Sequence, residues 1–241
     1  MESGVLQPPL ALRKLRERVV DANARLVREG LVTLTFGNAS AADRVAGVMA
    51  IKPSGVPFDA LRPELIPVLD IATGDVVEGS LRPSSDTPTH LVLYRAFVGV
   101  GGIVHTHSPY ATAWAQACKP IPCLGTTHAD HFCGPVPVTR PLRPAEIAGG
   151  YEEATGTVIV ETVADCDLAA MSAVLVCSHG PFTWSASPEE AVDNAVALEA
   201  VAASTYRAMR LAADTAPIAD ELLAKHFGRK HGVDSYYGQP S

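Results

Sequence analysis

Two histidines one residue apart, His105 and His107, close an apolar run that opens on Gly101-Gly102 and stops before Pro109. On a β-strand alternate side chains share a face, so both imidazoles point the same way while Thr106 points away. Two imidazoles at a strand end can share a metal ion, and imidazole suits zinc, iron, copper or nickel. A third, His179, stands at the end of a second apolar run, 173–177. If the two runs lie near each other, three imidazoles converge and leave a fourth position open, the pattern of a catalytic rather than a structural metal. Each histidine alone reads as well as a core or turn residue. It is the set that points to metal.

Two turns add anion chemistry. Lys52-Pro53-Ser54-Gly55 and Pro83-Ser84-Ser85-Asp86 both follow or border strands and present backbone N–H groups beside hydroxyls. Such turns make concave anion sites, although Ser and Gly are also ordinary turn formers. Asp86 fits three roles: helix cap, metal ligand, or carboxylate beside the metal. Gly99-Val100-Gly101-Gly102 lacks the G-x-G-x-x-G spacing and precedes a strand, so it is not a dinucleotide loop.

The elements that must hold these residues follow from periodicity and punctuation. Helical spacing covers 9–29, with Gly30 as a stop. Strands are expected at 31–36, broken by Gly37-Asn38, at 48–51, and as a pair within 66–78 joined by Thr73-Gly74-Asp75. Pro88 suits the first turn of a helix running to about Phe97. After the histidine strand come a helix at 109–117 and a Gly/Pro-rich stretch, 120–144, holding Thr126-Thr127-His128-Ala129-Asp130. A short helix at 144–154, a strand at 157–162 and the 173–177 strand follow. Ser187-Pro188-Glu189-Glu190 opens a long amphipathic helix over 188–213. A last helix near 217–227 precedes a polar, tyrosine-containing tail. Strands and helices alternate irregularly and hairpins are present, so a single α/β domain over 1–241 with a mixed or antiparallel sheet fits best. Residues 1–8 and 232–241 read as flexible or interface tails.

Composition narrows the class. The 241 residues are 47% hydrophobic and 19% charged, enough to bury a sizeable core. A net charge of −7 without a basic block argues against nucleic acid or an anionic membrane as partner. No apolar run spans a bilayer and no secretory segment opens the chain, so a soluble, cytoplasmic protein is expected. The five cysteines, odd in number and without a CxxC pair, read as reduced, mostly buried thiols.

Longer motifs resemble a known family. TFGN (35–38), IKPSGV (51–56), PSSDTPTHL (83–91), GGIVHTHS (101–108), GTTHAD (125–130), VIVET (158–162), SHGPF (178–182), HFGRKHG (226–232) and YYGQ (236–239) are similar to runs of the class II aldolase and adducin family, and within it to the L-ribulose-5-phosphate 4-epimerases. The resemblance runs from about residue 9 to the C-terminus. It implies a three-layer α/β/α fold around a mainly antiparallel sheet, a homotetramer with active sites between subunits, and a phosphorylated ketopentose as substrate. It also implies zinc, or another divalent metal such as Mn2+, Co2+ or Ni2+, on His105, His107 and His179, with Asp86 where the epimerases place a carboxylate at the metal. Gly37, Asn38, Lys52, Ser54, Gly55, Ser84 and Ser85 match substrate- and phosphate-binding positions. Asp130 and Tyr237 match the acid/base pair, Tyr237 arriving from a neighbouring subunit. His226 and Arg229 match residues near that interface, and Glu152 matches more weakly. Phe36 stands where tryptophan is common, and His131 and Cys133 where tyrosine is. A glutamate in place of Asp86 would mark an aldolase that releases the aldehyde. An adducin-like scaffold would have no need of the three histidines.

Overall fold

The computed structural model describes residues 10–232, 235 and 236. Seven strands, β1 (Asn38–Asp43), β2 (Val48–Ile51), β3 (Val68–Asp70), β4 (Val76–Glu78), β5 (Gly102–His105), β6 (Ala173–Leu175) and β7 (Pro181–Ser185), are connected by α1 (Leu10–Arg28), α2 (Thr87–Ala96), α3 (Pro109–Gln116), α4 (Thr126–Ala129) and α5 (Pro144–Thr162). After β7 come α6 (Pro188–Leu211) and α7 (Asp220–His231). The strands form one sheet in the order β4-β3-β2-β1-β5-β7-β6, and every pair in it is antiparallel.

Alternation along each strand divides the core into two faces. Met49, Ile51, Leu69, Ile103, Val174, Phe182 and Trp184 pack against Leu91 and Tyr94 of α2 and Ile159 of α5. On the opposite face Ala41, Ala50 and Val68 meet Leu15 and Val19 of α1, and Ala39 and Val104 meet Leu26, Val192 and Ala195. Leu175 joins Leu198 and Val201 of α6 on that side. Helices therefore cover both faces, giving the expected α/β/α layers. Fully buried large side chains such as Trp184, Tyr94 and Phe182 stabilise by roughly 1.5–3 kcal/mol each through removal from water.

The Gly101-Gly102 pair has a packing role. A Cβ on Gly101 would stand 2.2 Å from the Ala186 carbonyl oxygen, and one on Gly102 would stand 2.3 Å from Pro188 Cα. Glycine is what lets the start of α6 lie on β5.

Four expectations are corrected. Residues 31–36 form a loop and turn, with Leu34 at φ 53, and the strand is Asn38–Asp43 instead. β1 lies at the centre of the sheet with Asn38 to Ala42 buried, so it shows no polar–apolar alternation. Residues 157–162 are helical, the second half of α5 beyond a kink at Gly150 (φ 147). Tertiary packing overrides their β-branched bias: a Cβ on Gly156 would meet Val92 Cβ at 2.7 Å, so glycine permits close contact with α2. β7 was not expected. The cysteine reading also changes, because Cys118 and Cys177 are joined in a disulfide while Cys133 and Cys166 are exposed and Cys123 is buried.

Candidate metal centre and active site

Strand register assembles the centre. Across β1, β5 and β7, Asn38 pairs with His105 and His105 with Phe182, so the three side chains sit abreast at one end of the sheet. His105 stacks on Phe182 with ring centroids 4.2 Å apart. Its Nδ1 donates to the Pro181 carbonyl at 3.0 Å, which leaves the Nε2 lone pair facing His107 Nε2 at 3.1 Å. β5 ends at His105, so His107 belongs to the following loop rather than to the strand, yet the two imidazoles still converge. Gly37 (φ 84) holds the neighbouring loop against this point, where a Cβ would lie 2.8 Å from the His105 carbonyl oxygen.

His179 comes from the turn between β6 and β7. The candidate ligand atoms of His105, His107 and His179 all lie within 4.8 Å of one another. Burial pushes the His105 imidazole down to about 3 and lowers those of His107 and His179 as well, with the partly opposing attraction of Asp86. Neutral imidazole is the ligating form. Two nitrogens bound tetrahedrally at about 2.05 Å to one zinc ion lie about 3.3 Å apart, so a 3.1 Å separation fits the group. The donor set therefore suits a divalent cation.

The same three histidines line a cleft of about 390 Å3 whose other wall is built from the two Ser-containing turns. Ser84 N–H donates to the Lys52 carbonyl at 3.0 Å and Ser54 N–H to the Arg82 carbonyl at 2.9 Å, which clamps the turns together. Gly37, Asn38, Lys52, Ser54, Gly55, Ser84, Ser85 and Asp86 all reach this cleft, with Phe36 at its edge. Asp86 does not join the close histidine trio; its Oδ2 accepts from Asn38 Nδ2 at 2.7 Å. Burial raises its carboxyl, but His105, His90 and the Asn38 bond outweigh that and hold it below the usual range. Asn38 Oδ1 is buried and has no partner among the described residues. Lys52 Nζ lies 4.8 Å above the Phe58 ring and donates to the Pro53 carbonyl at 3.3 Å, and burial lowers its amine.

Asp130, His226 and Arg229 form a second cluster, which does not line this cleft. Arg229 grips Asp130 with two bonds of 2.9 and 2.6 Å, and His226 Nδ1 lies 3.0 Å from the same carboxylate. Burial raises that carboxyl, yet Arg229 and His226 keep it below the ordinary range and ionised. His131 is near Lys230 Nζ at 3.4 Å, and Cys133 is exposed. Glu152 contributes its carbonyl to Thr89 Oγ1 at 2.6 Å and does not line the cleft. Tyr237 lies outside the described residues. A cavity of about 530 Å3 beside Val100, His131 and Trp184 contains none of the three histidines.

Sequence reasoning missed two parts of the histidine site. Tyr151 OH is 3.2 Å from His179 Nδ1, delivered by the α5 kink that Gly149-Gly150 could have signalled. His90, one helical turn after Asp86, is fully buried and pushed down to about 4 by that burial. Its Nδ1 lies 2.7 Å from Ser40 Oγ, which is 2.8 Å from Tyr94 OH. Among the described residues no helix is long and apolar enough to cross a membrane.

Comparison with known proteins agrees with this geometry. Residues 17–206 match the family model described as Class II Aldolase and Adducin N-terminal domain. The chain is 50% identical over 228 residues to L-ribulose-5-phosphate 4-epimerase UlaF of Salmonella paratyphi C, covering 95% of this chain and 100% of that protein, and the UlaF of Salmonella typhi gives the same figures. Among solved structures, an L-fuculose 1-phosphate aldolase superposes with a TM-score of 0.76 at 25% identity, over 90% of this chain and 95% of that one. The putative aldolase/epimerase/decarboxylase YgbL of Klebsiella pneumoniae shares the fold with a TM-score of 0.70 at 24% identity, over 89% and 98%. A three-histidine cluster at the end of an antiparallel sheet, on a chain matched nearly end to end, makes this protein a member of the class II aldolase and adducin family.

Proposed function

We propose that the chain interconverts L-ribulose 5-phosphate and D-xylulose 5-phosphate by breaking and remaking the C3–C4 bond. The observation that carries this reading is the three-imidazole cluster facing two clamped Ser-containing turns across one cleft. The near-full-length likeness to UlaF supports the choice of substrate.

The chemistry follows from where the stereocentre lies. The hydrogen on C4 is not adjacent to the C2 carbonyl and is not acidic, so proton abstraction cannot invert that carbon. Retro-aldol cleavage can. The C4 hydroxyl loses its proton, the C3–C4 electron pair moves toward the C2 carbonyl, and an enediolate of dihydroxyacetone and glycolaldehyde phosphate result. The aldehyde turns its other face and the bond re-forms. When bound, a divalent cation, zinc in our reading, supplies Lewis-acid stabilisation of the charge that cleavage leaves on oxygen.

The protein residues have distinct tasks. Ser54, Gly55, Ser84 and Ser85 offer hydroxyls and N–H groups to the phosphate, with Lys52 as the nearby cation. Gly37 and Asn38 lie at the reacting end, where the unpartnered Asn38 Oδ1 can accept from a substrate hydroxyl. Asp130 and Tyr237 each serve one face of the aldehyde, taking or giving the proton at the C4 oxygen. His226 and Arg229 position Asp130. That cluster is built apart from the histidine cleft, so we infer a homotetramer in which neighbouring subunits complete each site, working in the cytoplasm on a phosphorylated sugar.

The test is incubation of zinc-loaded protein with L-ribulose 5-phosphate, followed by NMR. D-xylulose 5-phosphate as product, lost with a chelator and restored by zinc, is expected. The likeness to L-fuculose 1-phosphate aldolase favours a second reading, aldehyde release. Accumulation of glycolaldehyde phosphate and dihydroxyacetone would select it.

A further inference from the structure

The Cys118–Cys177 bridge joins two elements of unequal standing. Cys118 lies just past the C-terminal end of α3 and is exposed, while Cys177 is buried after β6 and stands two residues before His179. Their Cα atoms are 4.8 Å apart although 59 positions separate them in sequence. Ser178, between Cys177 and the ligand, is held in the left-handed region at φ 63, and its N–H donates to the Ala115 carbonyl of α3 at 2.9 Å. Cys118 is itself at φ 49. The loop that delivers His179 is thus fastened to α3 by one covalent bond and one hydrogen bond, immediately before the ligand. His105 is different: β1 and β7 hold it through the sheet, independently of the bridge.

We propose that Cys118 and Cys177 form a reversible thiol–disulfide switch that sets the affinity of the three-histidine centre for its metal, which rests on the metal reading above. The bridge is open to attack at Cys118, and exposed bridges are the labile ones. A peroxide forms it: two thiols lose two electrons and two protons, the S–S bond forms, and the O–O bond breaks to give two waters. A dithiol reverses it, taking the disulfide for itself and leaving two free thiols. Oxidised, the bridge holds His179 in place against His105 and His107. Reduced, the loop loses its covalent tie to the end of α3 and is held by hydrogen bonds, Ser178 N–H to the Ala115 carbonyl, Cys177 N–H to Thr139 Oγ1 at 3.0 Å and Val176 N–H to the Gly180 carbonyl at 2.9 Å, with the Tyr151 contact, so the looser His179 must be ordered as metal binds. Fixing one more side chain and its short loop at binding corresponds to an affinity loss of roughly 3- to 10-fold.

The experiment uses the full chain stripped of metal, either treated with stoichiometric hydrogen peroxide or reduced with a phosphine that is then removed under argon. Thiols are counted, and Zn2+ affinity is measured by competition with a chromophoric chelator. The expected result is three thiols and tight binding after peroxide, against five thiols and binding roughly 3- to 10-fold weaker after reduction. A Cys118→Ser/Cys177→Ser variant, with three thiols in both conditions, should bind Zn2+ as weakly as the reduced protein in each. Equal affinity in the two forms, tighter binding when reduced, or five thiols persisting after peroxide would overturn the switch. If neither form binds zinc, the metal reading falls and takes the switch with it.

Discussion

Asp130→Asn and His105→Asn chains, each nearly inactive alone, should recover activity when assembled together. The reasoning rests on Asp130 being gripped by Arg229 and His226 of α7 while the histidine cleft is lined by other residues. If the two clusters meet only between subunits, a site works when the histidines of one chain face the intact Asp130 of the next. In 1:1 mixed assemblies that pairing occurs at about one site in four, since each chain contributes independently to a symmetric ring. Loss of a general acid/base group leaves a residual rate on the order of 10² to 10⁴ lower. Mixed assemblies should therefore reach about a quarter of the unmodified rate, at least ~25-fold above the Asp130→Asn parent. The two chains would carry different affinity tags and be co-expressed, so that only mixed assemblies are recovered before C4 epimerisation is followed by NMR. Circular dichroism of each parent guards against misfolding, and the asparagine keeps Asp130's shape beside Arg229. If Asp130 and the histidines serve the same chain, every chain in the mixture carries a lesion. Activity at the parental level would then refute the between-subunit site.

Three further outcomes follow. Tyr237→Phe should slow epimerisation by on the order of 10² or more while bound zinc is unchanged, and an undiminished rate would remove that hydroxyl from the mechanism. His90 is held down to about 4 by burial, whereas an unfolded histidine titrates near 6.5, so between these values the unfolded chain takes the proton first and stability falls as pH drops. The loss amounts to about 3 kcal/mol by pH 4, and urea unfolding of the metal-free protein should show a flatter pH dependence for His90→Gln; identical slopes would contradict the assignment. Reducing Cys118–Cys177, which spans 59 positions, should lower the unfolding free energy by about 2–4 kcal/mol in the same assay, and an unchanged midpoint would argue against the bridge.

Periodicity made most of the scaffold legible and failed where packing decides. The helices at 10–28 and 188–211 carry apolar faces that meet the core, and Ser187 Oγ accepts from the Glu190 N–H as a capped start requires. Asn38–Asp43 was illegible because a central strand covered on both faces has no reason to alternate, and its alanines and serine carry little strand preference. Thr157 to Thr162 misled in the other direction. Its valines and isoleucine favour a strand locally, but α2 offers them a helical seat that Gly156 makes close enough to use.

The site divides along the same line between local and long-range information. His105, His107 and both Ser-containing turns could be found because each brings its neighbours within a few residues, and the β5 register then supplied Asn38 and Phe182. The grip of Arg229 on Asp130 spans 99 positions; the motifs marked each residue, but nothing in the sequence paired them. The disulfide spans 59 and ran against the reading of the cysteine count. Both long-range links act on a candidate functional residue: one holds the proposed acid/base carboxylate, the other restrains the segment before His179. Spacing along the chain can propose which groups do chemistry; how firmly each is held depends on contacts that no local pattern encodes. That is why the between-subunit and thiol-exchange experiments probe the parts of this site that its motifs leave open.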